Sequence, residues 1–177
     1  MNEAVDRSTL GVFRQGDELD GGLSAMRTDF SLDDIAWPGG RIVFQWWCEA
    51  RRGTSLPTRA DFSPTILGRH LSGICLVTVP EAGGALRFRL AGTGITRALG
   101  WDPTGRALVD LPAAKPLVDR CSWAVEHRAP YLCCDQPLSV LGKGYLVHSS
   151  VVVPLADESG RVAILIAHVH LASSFSR

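Results

Sequence analysis

The chain has 177 residues, of which 46% are hydrophobic and 20% are charged, and its formal net charge is zero. This length suits one domain with its own hydrophobic core. A zero net charge gives no support to a nucleic-acid partner, and the longest apolar run, near residues 162–169, is too short to span a bilayer. Five cysteines without a C-x-x-C pair do not indicate a disulfide framework. We therefore expect a cytoplasmic protein without membrane insertion.

The first 36 residues differ in charge from the rest of the chain. They contain eight acidic and three basic side chains, a net charge of −5, whereas the remaining residues carry a net charge of +5. Their scattered apolar residues follow no lasting period, apart from one helical turn expected near 30–36. We predict a flexible acidic arm over 1–36, a folded domain over 37–172 and a short tail over 173–177.

A helix with a broad apolar face is predicted over 40–52, just after Pro38. Its apolar residues recur at helical spacing, and Gly53 follows two arginines where the helix should end. This face either covers the protein's own sheet or joins a second copy. The candidates for such an interface are Val43, Trp46 and Trp47.

The stretch LPTRADFSP (56–64) contains a helix start, because Ser63 precedes Pro64, a residue favoured at the first helical position. Arg59 and Asp61 are left without an explanation from helix-start chemistry. They could clamp an anion, or they could bond backbone groups of their own loop. Side chains of these types near helix starts usually bond backbone groups, so we predict that Arg59 and Asp61 form a structural brace.

The remaining elements predict an antiparallel α+β fold. Runs of β-branched residues and turn signals predict five strands and the helices between them: strands 72–80, 86–92, 130–138, 145–155 and 161–170, short helices at 93–100 and a long helix at 113–127. Hairpins join neighbouring strands, and the helices between the second and third strands must cross one face of the sheet. The last strand is apolar on both sides and therefore needs a second cover. We predict a five-stranded sheet with helices crossing one face and the helix 40–52 on or near the other.

This order of elements resembles the PAS fold. Three stretches resemble the single-domain PAS proteins common in alphaproteobacteria: LPTRADFSP (56–64), RFRLAGTGITRALGWDPTGRALVDL (87–111) and PLADESGRVAILIAHV (154–169). The resemblance runs from about residue 40 to residue 170. It implies a cytoplasmic sensor or interaction module, often without an output domain in the same chain, and it does not supply a ligand.

In PAS-like sheets the pocket lies between the sheet and the crossing helices. Mostly apolar walls with a few polar groups suit a small organic ligand, although the same walls also suit a filled core without a cavity. The candidate lining residues are Ile95, Leu99, Trp101, Arg106, Leu108, Leu117, Cys121, Val125, Tyr131 and His148.

No catalytic residue and no cofactor is assigned from the sequence. The serines of HSS (148–150) lack a G-x-S-x-G elbow. His127 comes too late in its helix for an axial haem ligand, and His168 and His170 share a strand face without a further metal ligand nearby in the sequence. DRCSWAVEH (119–127) does not match the N-C-R-F-L-Q-type motif of photoactive flavin domains. Haem, flavin and a metal are each not expected.

The sequence favours a non-enzymatic sensory or regulatory PAS domain that binds a small organic ligand and signals through contacts with a protein partner or a second copy. Two alternatives remain. One is a ligand-free dimerisation or interaction module, which would expose Trp46 and Trp47. The other is a small-molecule enzyme on a related α+β fold, which would need a polar His/Asp pair deep in the pocket.

Overall fold

The computed structural model describes residues 23–81, 83–137 and 146–173. Its six strands are β1 (Met26–Arg27), β2 (Ile74–Thr78), β3 (Arg87–Ala91), β4 (Tyr131–Pro137), β5 (Leu146–Ala156) and β6 (Val162–Ser173). Its α-helices are α1 (Pro38–Ala50), α2 (Thr93–Leu99) and α3 (Lys115–His127). Short 3₁₀ helices occupy Leu32–Asp34, Arg59–Asp61, Pro64–Gly73 and Leu108–Asp110.

The strands form one antiparallel sheet in the order β1-β4-β5-β6-β2-β3. The predicted α+β fold is confirmed, and each of the five predicted strands is present. The long strands β5 and β6 lie at the centre of the sheet. Their side chains are therefore covered on both faces, as the apolar pattern of the last strand indicated.

The start of the fold lies earlier than the sequence predicted. Strand β1 pairs with β4 at the edge of the sheet, as a sixth strand inside the segment interpreted as an arm. Ile35 is fully buried, so the packed structure includes residues before 37. The rest of the predicted arm (1–22) and most of the predicted tail (174–177) lie outside the described residues.

The two faces of the sheet have different covers. Helix α1 lies against the face that contains His168 of β6, where the Trp37 indole reaches the imidazole. Tyr131 of β4 points to the opposite face, where its hydroxyl meets Cys121 of α3. We call these the α1 face and the α3 face. Because side chains alternate along a strand, neighbouring residues of β5 and β6 face the two covers in turn.

Helix α1 begins two residues earlier than predicted, at Pro38. Its buried side is formed by Gly39, Gly40, Val43, Phe44 and Trp47. A Cβ atom on Gly39 would lie 2.1 Å from Nε2 of His168, which is far inside van der Waals contact. Glycine at this position therefore allows the first turn of α1 to lie directly on the imidazole ring.

Candidate functional site

The α3 face contains a buried arginine. Arg120 lies on the sheet-facing side of α3, together with Cys121 and Ala124, and is only 7% exposed. An arginine keeps its charge at all ordinary pH values, so this guanidinium places a positive charge between the helix and the sheet. Buried charges are costly unless charged or hydrogen-bonding partners surround them.

His148 of β5 lies on the same face, in register with Gln136 of β4. Its Nδ1 atom is buried and has no hydrogen-bond partner. Burial is the main cause that lowers the pKa of His148 to about 4, and the positive charge of Arg120 acts in the same direction. A hydrogen bond with the backbone of Gln136 opposes this change. The imidazole is therefore neutral at pH 7, with one ring nitrogen left unsatisfied inside the protein.

Sulfur and phenol groups lie next to these two residues. Cys121 Sγ lies 3.6 Å from the hydroxyl of Tyr131, and Cys133 is fully buried on the next strand position of the same face. Burial raises the pKa of the Cys121 and Cys133 thiols to about 11 and that of Tyr131 well above its usual value. All three groups stay protonated at neutral pH, so the thiols are poor nucleophiles.

The structure separates the predicted lining residues into three groups. Ile95, Leu108, Cys121 and Tyr131 are buried, whereas Leu99, Trp101, Leu117 and Val125 are half-buried and pack against the same core. Arg106 is exposed, and its guanidinium lies 5.0 Å from the ring centre of Trp101. The prediction that Arg106 supplies a polar contact inside the pocket is wrong, because its side chain stacks on an indole at the surface.

Sequence reasoning did not name Arg120 as a candidate site residue. A signal was present: Arg120 is three residues after Leu117 and four before Ala124, so it shares their side of α3. A charged residue on an apolar helical face therefore marks the polar centre of the α3 face.

A hydrogen-bonded relay lies on the α1 face. Trp37 Nε1 donates to Nδ1 of His168 over 3.1 Å, and Nε2 of His168 lies 2.9 Å from the carbonyl oxygen of His70. Since Nδ1 accepts, Nε2 of the neutral ring carries the hydrogen that bonds the carbonyl. Burial lowers the pKa of His168, although the bond to His70 opposes this change. Both ring nitrogens are satisfied, in contrast to His148.

A cavity of about 340 Å³ lies beside this relay, between the segment that leads into α1 and the strands β4, β5 and β6. None of the predicted lining residues belongs to it. In its wall, the Ser149 hydroxyl accepts a hydrogen bond from the backbone amide of Asp135. The rings of Trp37 and His170 are nearly parallel, with their centroids 6.1 Å apart. The cavity is lined by Ala36, Trp37, Pro38, Cys134, Asp135, Val147, Ser149, His170 and Ala172.

The three interface candidates lie against the protein's own sheet and loops. Val43 is fully buried, and Trp47 is 2% exposed and donates to the Pro154 carbonyl over 2.9 Å. Trp46 is half-buried, donates to the Asp61 carbonyl and packs edge-on against Phe62. Because the apolar face of α1 packs inside the protein, Val43 and Trp47 are not available for an interface with another molecule.

The side chains of Arg59 and Asp61 bond groups of their own loop. Asp61 Oδ2 accepts two hydrogen bonds from Thr58, one from the backbone amide over 2.7 Å and one from the side-chain hydroxyl over 2.8 Å. Arg59 Nη1 donates to the Phe62 carbonyl over 2.8 Å, and its guanidinium lies near the Phe62 ring. These bonds hold the turn that leads to the 3₁₀ helix Pro64–Gly73 and orient Phe62 toward Trp46.

A family model described as PAS domain matches residues 36–134, which is more than half of the chain. The matched segment begins just before α1, continues through α2 and α3 and ends within β4. This chain belongs to the PAS domain family. Membership places it among sensory, signalling domains. No curated protein matches the chain.

Several solved structures are similar to this PAS domain. One is a light-oxygen-voltage domain studied with a flavin analogue, at 14% identity and a TM-score of 0.44, covering 62% of this chain and 84% of the other. Another is the light-state dimer of the fungal blue-light photoreceptor Vivid, at 12% identity and a TM-score of 0.41, covering 77% and 98%. A third is the dark structure of the Aureochrome1 LOV domain, at 16% identity and a TM-score of 0.41, covering 61% and 80%.

The expectation that flavin is not bound is contradicted by these similarities, since one similar structure is a domain studied with a flavin analogue. Among residues 23–81, 83–137 and 146–173, no group of three or more His, Cys, Asp or Glu residues could hold a metal ion. In the same part of the chain, no helix is long and apolar enough to cross a membrane.

Proposed function

We propose that this PAS domain senses a small organic ligand on its α3 face and reports it through its α1 face to a protein partner. The observation that supports this proposal most directly is the unpartnered Nδ1 atom of His148 beside the buried charge of Arg120. The buried side chains around them are mostly apolar, with Ser150 and the Tyr131 hydroxyl as further polar groups. Such a combination is typical of a ligand site, in which a few polar groups orient a ligand that apolar walls bury.

An unpartnered polar atom inside a protein costs about 1–3 kcal/mol of stability. The α1 face shows no such cost, because both nitrogens of His168 are bonded. The polar atoms named around the 340 Å³ cavity are also engaged, as Ser149 bonds the Asp135 amide and Trp37 bonds His168. Among the described residues, the buried side-chain atom without a hydrogen-bond partner therefore lies on the α3 face.

The route from ligand to partner is short because both covers contact the same two strands. His148 and Pro154 are both residues of β5, and Pro154 accepts the bond from Trp47 of α1. His168 of β6 accepts the bond from Trp37, which directly precedes α1. A ligand that binds one arrangement of β5 more tightly than another would shift the population of α1 positions by its difference in affinity.

Native mass spectrometry of the freshly purified protein, with an absorbance spectrum of the same sample, tests the proposal. We expect a non-covalent added mass that disappears on denaturation and is reduced in a His148→Leu variant. A His127→Leu variant, which changes an exposed histidine at the end of α3, should keep the added mass. A flavin would show its visible absorbance bands. A bare protein mass in all three samples would overturn the proposal.

The alternative of a ligand-free dimerisation module draws on a different observation. Ile66, Leu71 and Leu90 are large apolar side chains that are 41–43% exposed. Leu71 directly precedes Ser72, and Leu90 precedes Gly92 by two residues. A Cβ atom on Gly92 would lie 2.3 Å from the Ser72 carbonyl oxygen, so these two segments lie close together. This surface would replace the excluded α1 interface. Sedimentation velocity of the wild type and of a Leu71→Glu, Leu90→Glu variant decides it: a dimer lost in the variant supports dimerisation, and a wild-type monomer excludes it.

A further inference from the structure

We propose that the cavity of about 340 Å³ on the α1 face is a second ligand site, which takes an uncharged aromatic carboxamide. This inference goes beyond the proposed function, because the cavity lies across the sheet from His148. Ser149, which lines the cavity, follows His148 along β5, and neighbouring residues of a strand point to opposite faces.

Two cross-strand pairs of β5 and β6 form the floor of the cavity. Ser149 pairs with His170, and Val147 pairs with Ala172, so the four side chains share the α1 face. Helix α1 begins at Pro38, and the segment that leads into it forms one wall. The volume lies near the lower end of the range of about 300–1,000 Å³ that is typical of ligand pockets, so it suits a molecule of one or two rings.

A β-bulge in β4 forms the opposite wall. Cys134 and Asp135 lie opposite the single residue Ser149, because the register shifts between Cys133 and Gln136. The backbone of Asp135 has a φ of 50°, in the left-handed region that few non-glycine residues adopt. Bulges and such backbone conformations cost stability and are over-represented at active sites and ligand sites. Their position beside a cavity therefore supports a binding role for it.

Ser149 supplies a hydrogen-bond donor at the floor. Its side chain belongs to a residue that is only 8% exposed, and its Oγ accepts the backbone amide of Asp135 over 3.0 Å. This bond uses a lone pair and leaves the hydroxyl proton to donate. Among the described residues, no acceptor bonds that proton. A ligand with a carbonyl oxygen would accept this hydrogen bond.

Trp37 and His170 form an aromatic wall. Their rings are inclined by only 17°, with centroids 6.1 Å apart. The indole N–H of Trp37 already bonds His168, so the indole offers a ligand its ring surface rather than a donor. Aromatic rings prefer stacked or edge-on contact with one another. The wall therefore favours an aromatic ligand over an aliphatic ligand of the same size.

The charges at the cavity favour a neutral ligand over an anion. Among the described residues that line it, none is a lysine or an arginine, whereas Asp135 is an acid. Burial is the main cause that raises the pKa of the Cys134 thiol in this wall; Arg27 opposes the change, and Asp135 and Asp34 add to it. Arg27 and Asp34 form a salt bridge of 2.8 Å with each other. An anionic ligand would thus lie beside the Asp135 carboxylate without a basic side chain of the lining to bind it.

An aromatic carboxamide combines these requirements. Its ring can contact Trp37 and His170, its carbonyl oxygen can accept the Ser149 hydroxyl, and its neutral NH₂ group can lie beside Asp135 without repulsion. Nicotinamide and nicotinate are a matched pair of probes, because they share the ring and differ in whether the group on it is an amide or a carboxylate.

The test is a titration of the full chain at pH 8, followed by ¹H–¹⁵N NMR. We expect nicotinamide to shift the amide resonances of 134–135, 147–149 and 170–172 and to bind about tenfold more tightly than nicotinate. Equal binding of the two probes would overturn the inference, since the site would not distinguish an amide from an acid. No shifts at these positions with either nicotinamide or benzamide at up to about 50 mM would also overturn it.

Two variants separate binding in the cavity from binding elsewhere. Ala172→Leu fills space in the cavity and should abolish the shifts without lowering the melting temperature. Ser149→Ala should weaken nicotinamide binding several-fold, whereas its matched control Ser150→Ala, equally buried on the opposite face of β5, should leave it unchanged. Unchanged nicotinamide binding in Ala172→Leu would overturn the inference.

The His148→Leu variant distinguishes this site from the α3 face. It should bind nicotinamide as the wild type does, and Ala172→Leu should keep any co-purified mass that the proposed function predicts. Loss of nicotinamide binding in His148→Leu would overturn a separate site on the α1 face. A co-purified mass that is lost in Ala172→Leu and kept in His148→Leu would instead overturn the proposed function and support the cavity as the ligand site.

Discussion

The two faces of the central strands hold similar residues in opposite states. On the α1 face, the histidine of β6 has both ring nitrogens bonded, one to an indole and one to a carbonyl. On the α3 face, the histidine of β5 has a buried ring nitrogen without a partner. The first arrangement fixes one packing of helix on sheet. The second arrangement costs folding free energy, because a buried nitrogen lacks a hydrogen bond that a ligand could supply. His168 is therefore a structural histidine, and His148 is a candidate for sensing.

The largest effect is expected at Gly39. A Gly39→Ala substitution places a Cβ atom 2.1 Å from the His168 ring, so either the first turn of α1 or the ring must move, and both bonds of His168 weaken. We expect a loss of roughly 3 kcal/mol or more in the free energy of unfolding, measured by urea denaturation. Gln45→Ala, on the exposed side of α1, serves as the control and should change stability by less than about 0.5 kcal/mol.

A loss of stability in acid is expected next. The pKa of His148 is about 4 in the folded protein and 6.5 in its ordinary state, so the unfolded chain binds more protons between these values. Stability is therefore full above about pH 6.5 and falls as the pH approaches 4, by about 3 kcal/mol from this residue. The lowered pKa of His168 acts in the same direction.

Urea denaturation at several pH values between 7.5 and 4 measures this loss. The His148→Leu variant should lose less stability over that range than the wild type. Several carboxyl groups, including Asp34 and Asp157, also have lowered pKa values, but they act at lower pH and are common to both proteins. Identical pH profiles for the two proteins would contradict a neutral, buried His148.

The third prediction compares the two histidines directly. Trp37→Phe removes the indole N–H and leaves Nδ1 of His168 buried without a donor, so we expect a loss of about 2 kcal/mol. His148→Leu removes the Nδ1 atom that has no partner, but it also removes the ring's hydrogen bond at the Gln136 backbone, so we expect a smaller loss than in Trp37→Phe. Denaturation of both variants at pH 7.5 provides the measurement. A loss in His148→Leu as large as that in Trp37→Phe would contradict the contrast between the two histidines.

The sequence predicted the fold well because the fold depends on local patterns. The apolar face of α1, the hairpin turns and the doubly apolar strand β6 each appear in a short window of residues, and together they define the order of elements. Strand β1 was missed because two residues, Met26 and Arg27, carry no periodic signal. Its pairing depends on the edge of β4, which is distant in the sequence.

The candidate site was predicted less completely, because burial of polar residues depends on tertiary packing. Cys121, Tyr131 and His148 were named from the PAS-like arrangement of helix and strands, and they do lie on one face. Arg120 was passed over because charged residues are usually exposed. Arg106 was named as a candidate polar contact of the pocket, yet it stacks on Trp101 at the surface.

The smallest expected loss of stability concerns the hydrogen bond between α1 and β5. Trp47→Phe keeps most of the buried ring and removes the N–H that bonds the Pro154 carbonyl, so we expect a loss of about 1 kcal/mol. Trp46→Phe is the matched control on the neighbouring residue, where the bonded Asp61 carbonyl lies in an exposed turn that water can reach. Its loss should be smaller. If both variants lost the same amount, the indole bond to β5 would contribute no more than a bond to an exposed carbonyl, which would contradict a special role of this bond in attaching α1 to the sheet.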